Sequence, residues 1–144
     1  VQTGFIAKKE LRKVPILITW MEALGCVYID RRNPRSQIKA IIDGAKAVAS
    51  GHPQVIFPEG TRSRSEEFGE FKPGSIKLAT RSRGTIIPLT ICNTSYLMEN
   101  KRGVRRESVE LIIHPPIETG NLDDAALKQL PEKVFDIIRG ATCG

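Results

Sequence analysis

Between residues 34 and 49 the apolar residues Ile38, Ile41, Ile42, Ala45, Val48 and Ala49 recur at steps of three and four, the spacing of one face of an α-helix. Asn33-Pro34-Arg35-Ser36 has the chemistry of a helix start, and Gly51 stands where a C-terminal cap falls. Short apolar, strand-prone runs flank this helix, Cys26 to Ile29 before it and Val55 to Phe57 after it. Strand alternating with helix predicts an α/β fold, a mostly parallel mixed sheet with flanking helices. At 144 residues the chain fits one domain with room for a core. In a right-handed arrangement the two strands run the same way. Their C-terminal ends then deliver Arg31 and Arg62 from neighbouring strand tips to one edge of the sheet, where open α/β sheets place ligands.

The remaining elements are weaker. Val1 to Ile6 reads as a short strand, and Ala7 to Lys13 as a basic turn or short helix ended by Pro15. Ile16 to Leu24 reads as a helix apolar on most sides, which implies burial or contact with lipid. A buried core helix is the expectation, although Trp20 suits an interfacial position. Ser75 to Ser82 reads as a short helix closed by Gly84, and Thr85 to Ile91 as a strand interrupted by Pro88, which needs a sheet edge or a bulge. Polar connections run from Ser63 to Pro73 and from Asn93 to Arg106. Ser108 to Ile113 is expected to be a strand, and Asn121 to Arg139 a helix broken at Pro131.

The densest chemistry lies at Val55-Ile56-Phe57-Pro58-Glu59-Gly60-Thr61-Arg62-Ser63. Pro58 stops the strand, and the polar groups follow without a gap. Arg62 carries a planar fork that pairs bidentately with phosphate. Gly60 lets backbone N–H groups approach a ligand, and Thr61 and Ser63 donate to phosphate oxygens. Glu59 repels a phosphate, so its place is to orient Arg62 or to accept from a substrate hydroxyl. From residue types alone, a surface loop with one Glu–Arg pair explains the stretch equally well.

Composition excludes several classes. Of the net charge of +6, five come from residues 1–50, which hold nine Lys/Arg against four Asp/Glu. That surplus suits an anionic partner: a phospholipid surface, a phosphorylated substrate or nucleic acid. At 6% aromatic residues a base-stacking platform has little to build on. Cys26, Cys92 and Cys143 are odd in number and widely spaced, and read as reduced thiols. No zinc site is expected, because His52 and His114 are far apart and the cysteines unclustered. Gly69 to Gly74 has phosphate-loop glycine spacing, but Ser75 replaces the required Lys and Pro73 removes an amide donor. The longest nearly apolar run, Val14 to Ile29, holds Pro15, Glu22 and Gly25 and falls short of the ~20 residues of a spanning helix. The chain opens in mid-pattern without an initiator Met and reads as a piece of something longer.

Several blocks, in order, resemble the glycerolipid acyltransferase family, whose best-known members are the lysophosphatidic acid acyltransferases. Gly25-Cys26-Val27-Tyr28-Ile29-Asp30-Arg31 matches one family block. Phe57-Pro58-Glu59-Gly60-Thr61-Arg62-Ser63 matches the most telling one completely, and Phe71-Lys72-Pro73-Gly74 the one that commonly follows. Ile86-Ile87-Pro88-Leu89 corresponds to the late apolar-Pro block, and Ala7-Lys8-Lys9-Glu10-Leu11 to the basic segment. The family's catalytic His-x-x-x-x-Asp block has no counterpart, since His52 is followed five positions on by Phe57 and His114 by Thr119.

The resemblance implies a glycerol-3-phosphate acyltransferase-like α/β fold in which residues 1–144 are the C-terminal portion, the acceptor-binding half, of an acyltransferase domain. It implies acyl transfer from acyl-CoA or acyl-ACP to the free hydroxyl of lysophosphatidate, giving phosphatidate, at the cytoplasmic face of the cell membrane. Arg31 and Arg62 would hold the acceptor phosphate, with Gly60, Thr61 and Ser63 shaping the pocket and Glu59 supporting. Lys8, Lys9, Lys72 and Pro88 are secondary candidates. No catalytic residue, metal or bound cofactor is assigned within the chain, and acyl carrier protein is a candidate partner. The same residues leave open another acceptor (glycerol 3-phosphate, a lysophospholipid or a lyso-aminolipid) or a non-catalytic module for anionic lipid or nucleic acid.

Overall fold

A computed structural model of the chain describes residues 2–61, 69–72, 74–94 and 108–142. The chain divides into two compact units, Val1–Pro58 with Pro73–Gly84, and Glu59–Lys72 with Thr85–Gly144. Both mix helices and strands, as the alternation predicted.

In the first unit, β1 (Gly4–Lys8) lies between β2 (Val27–Ile29) and β3 (Gln54–Val55), and both pairings are parallel. The register sets Lys8 beside Ile29 and Phe5 beside Val55. β2 and β3 therefore run the same way but are not neighbours, because β1 is inserted between them. Gly4 is needed for this close approach: a Cβ there would fall 2.6 Å from the Gly25 carbonyl oxygen. β1 begins and ends later than expected, and the basic stretch after it is a 3-10 helix, Lys9–Lys13.

α1 (Pro15–Ala23) follows, with proline at its start where a missing N–H costs nothing. It is not the buried core helix expected. Met21 alone is buried, whereas Ile16 is 79% and Trp20 66% exposed. α2 (Pro34–Ala49) starts on Asn33, whose side chain accepts from the amides of Arg35 and Ser36 at 3.0 and 3.4 Å. Its buried line runs through Ala40, Gly44 and Ala45, while Ile38, assigned to the inner face by spacing, is 60% exposed. The cause is α3 (Lys77–Ser82), which packs on α2 so closely that any side chain at Gly44 would run into Leu78. The small residues mark that contact. α3 ends on Arg83 in the left-handed conformation (φ 52°) rather than on Gly84. The core of this unit is Ala7, Met21, Ala40, Ala45, Ile76 and Leu78.

In the second unit, β4 (Thr85–Ile86) pairs antiparallel with β7 (Ile117–Glu118), and β5 (Leu89–Cys92) pairs antiparallel with β6 (Glu110–Ile113). Pro88 breaks the expected strand between the two ladders. It is buried, and its carbonyl accepts from the His114 amide at 3.0 Å. α4 (Asp124–Arg139) starts on Asp123, which accepts from the Ala126 amide at 2.8 Å. The helix continues through Pro131 instead of breaking there. Leu130 and Val134, 1% and 3% exposed, flank the proline, and their burial outweighs the roughly 3 kcal/mol that it costs. Phe71 stacks edge-on against Phe135 of α4 at 5.0 Å. Cys92 is disulfide-bonded, which corrects the reading of three reduced thiols, and Cys26 is free. Linear spacing carries no record of which thiols a fold brings within bonding distance.

Candidate functional site

The three parallel strands of the first unit all end on the same edge. β1 delivers Lys8 and Lys9 there, β2 delivers Asp30 and Arg31, and β3 delivers Ile56, Phe57 and Pro58. The Asp30 carboxylate pairs with Lys9 at 3.7 Å and accepts from the Arg32 amide at 3.0 Å. The Asp30 amide donates to the Ser36 hydroxyl at 3.0 Å, and Gln37 donates to the Arg31 carbonyl at 2.8 Å. The turn carrying Arg31 is therefore tied to the first turn of α2, and the Arg31 side chain is left exposed. A cation held on a braced turn is a ready anion ligand, since little chain entropy remains to be lost on binding.

Beside this turn an open groove of about 390 Å³ is lined by Lys9, Glu10, Arg12, Lys13, Asp30 and Arg32. Arg12 pairs with Glu22 at 3.8 Å and sits 5.0 Å over the Tyr28 ring. Among the described residues Lys13 and Arg32 make no ion pair, so the groove keeps positive charge to spare. The Tyr28 phenol is pushed up from its ordinary pKa, first by burial of its hydroxyl and then by Glu22 and Cys26, with Arg12 pulling the other way. Spacing gave no sign of this groove. Its cations come from two segments that only the β1–β2 pairing sets side by side.

In the second unit, Glu59 is half-buried, and its carboxylate accepts from the Gly69 amide at 3.0 Å. A Cβ on Gly69 would lie 2.8 Å from the same oxygen, so the contact suits glycine. Gly60 has φ 70°, a conformation that side chains rarely take, and Thr61 is exposed. Arg62 and Ser63 lie outside the described residues, as does the meeting of Arg31 with Arg62. Of the secondary candidates, Lys8 and Lys9 reach the sheet edge with Arg31. Lys72 is exposed in the second unit and Pro88 is buried there, where its observed contact is structural.

The family model described as Acyltransferase matches residues 1–92. The probable 1-acyl-sn-glycerol-3-phosphate acyltransferase of Mycoplasma pneumoniae is 37% identical over 143 residues, covering 91% of this chain and 52% of its own length. The 1-acyl-sn-glycerol-3-phosphate acyltransferase of Saccharomyces cerevisiae is 34% identical over 134 residues, covering 90% of this chain and 44% of the relative. The crystal structure of the 1-acyl-sn-glycerophosphate (LPA) acyltransferase PlsC from Thermotoga maritima is similar with a TM-score of 0.81 at 26% identity, covering 97% of this chain and 56% of that one. The chain thus spans about half the length of the curated relatives it matches. With the family model covering more than half of its residues, the chain belongs to the Acyltransferase family.

Proposed function

We propose that these residues form the acceptor-binding part of an acyltransferase that esterifies the free hydroxyl of lysophosphatidate to give phosphatidate. The hydroxyl oxygen attacks the carbonyl carbon of an acyl thioester of coenzyme A or acyl carrier protein. A C–O ester bond forms, the C–S bond breaks, and the hydroxyl proton passes through a base to the leaving thiolate. No metal or redox group enters this balance.

The observation that carries the reading is the parallel β2–β1–β3 order, which supports an anion site at one sheet edge. It brings Lys8, Arg31 and the opening residues of the Phe57–Ser63 block to that edge. Arg31 and Arg62 hold the acceptor phosphate; Gly60, Thr61 and Ser63 line it with donors. Glu59 supports the loop. The base is the histidine of a His-x-x-x-x-Asp pair, and neither His52 nor His114 stands in such a pair. A protein acting on a lipid acceptor with a soluble thioester works at a membrane surface, and we assign the cytoplasmic face.

The test is binding of monomeric, short-chain lysophosphatidate by the 144-residue chain. Arg62→Ala is expected to weaken it at least about tenfold, the worth of a charge-assisted pair. Unchanged affinity in that variant would remove the phosphate assignment. Lysophosphatidylcholine and glycerol 3-phosphate, run beside it, separate the possible acceptors.

A further inference from the structure

We infer that the exposed stripe of α1, with the basic groove at its N-terminal end, is a docking surface for a bilayer containing anionic phospholipid. The proposal deepens the reading above, which requires access to a lipid acceptor, and it rests on separate observations.

Ile16, Leu17 and Trp20 of α1 and its C-cap residue Leu24 are spaced one, three and four residues apart. At 3.6 residues per turn they fall within an arc of about 100°. All four are exposed, from 37% at Leu24 to 79% at Ile16. Glu22, the single charged residue of α1, lies outside that arc and pairs with Arg12. Four large apolar side chains in a row on the surface form the kind of patch that soluble monomers seldom leave uncovered. Nine residues span only about 14 Å, so α1 suits lying in the interface rather than crossing it. Among the described residues no helix is long and apolar enough to cross a membrane.

Charge decides between occupants. The groove beside α1 carries Lys9, Arg12, Lys13 and Arg32 against Glu10 and Asp30. A second copy of this chain would bring the same positive surplus against it. Nucleic acid would satisfy the cations and leave the apolar stripe in water. A bilayer with anionic headgroups takes the apolar stripe among its acyl chains and meets the cations of the segment that leads into α1, Lys13 first.

Trp20 is the only tryptophan in the chain, so its fluorescence reports this site alone. The 144-residue chain is mixed with vesicles of equimolar phosphatidylcholine and phosphatidylglycerol, and with phosphatidylcholine alone. Expected on the mixed vesicles are co-sedimentation, a shift of Trp20 emission to shorter wavelength, and quenching by bromine-labelled lipid. Ile16→Ser with Leu17→Ser should weaken partitioning at least about tenfold, and Lys13→Glu or added salt should weaken it further. Absence of binding, binding without the Trp20 shift, or equal binding by the double variant overturns the proposal. So does a lipid-independent Trp20 shift that grows with protein concentration, because a second copy would then cover the stripe. Failure here with normal lysophosphatidate binding removes only the docking surface. Loss of the Arg62 effect with normal vesicle binding removes only the acceptor assignment.

Discussion

The carboxylate of Glu59 accepts a hydrogen bond from the backbone amide of Gly69 at 3.0 Å. Ten residues separate them, and Thr61, Arg62 and Ser63 lie in the interval. The contact gives Glu59 a task that the sequence reading did not foresee: it ties Glu59 to Gly69 across the stretch in which the proposed phosphate donors lie. Just beyond Gly69, Phe71 is anchored on Phe135, so the end of this segment is held twice.

Glu59→Ala is accordingly expected to weaken lysophosphatidate binding and to cost about 1–2 kcal/mol of stability, through an amide left without its acceptor. Glu59→Gln keeps an acceptor oxygen and should retain most of both. Gly69→Ala should resemble Glu59→Ala, since the added methyl displaces the carboxylate. Calorimetric binding and thermal melts of the three variants check the relationship. Equal behaviour of the Ala and Gln variants at position 59 would show that the charge, not the clasp, is what counts.

Asn33 caps α2 while the Arg31 turn hangs from the same helix start. Asn33→Ala should cost about 1 kcal/mol of stability, the usual worth of an N-cap. Loosening of the turn should also lower lysophosphatidate affinity severalfold without removing any cation. A urea melt with unchanged midpoint would contradict the cap.

Pro131 sits in the interior of α4, where it supplies no N–H. Pro131→Ala restores that donor and should raise stability by roughly 1–3 kcal/mol. A destabilised variant would mean that the ring itself fills space in the unit around Leu130 and Val134.

Acyl transfer from purified residues 1–144 should be undetectable, because the reaction needs a positioned base and neither histidine is followed by aspartate at the required spacing. His114 is moreover engaged, its Nε2 lying 2.9 Å from the Thr90 hydroxyl. An ordinary turnover rate with acyl-CoA and lysophosphatidate would refute the assignment of the base.

The sequence by itself determined what local chemistry controls. The period of α2, its start at Asn33, the interruption at Pro88 and the parallel sense of β2 and β3 were all legible in the residues. The Phe57–Ser63 block likewise led to the acyltransferase family before any coordinate. Only the tertiary structure decided which neighbour each element meets. It inserted β1 between β2 and β3, so that Lys8 and Lys9 stand between the two strand ends. It turned α2 onto Ala40 and Gly44 to receive Leu78, left α1 with its apolar stripe outward, and bonded Cys92. The physical reason is common to all of these. Periodicity records which side chains avoid water along one element, whereas pairing and burial depend on contacts between residues distant in the chain, whose energies no single segment contains.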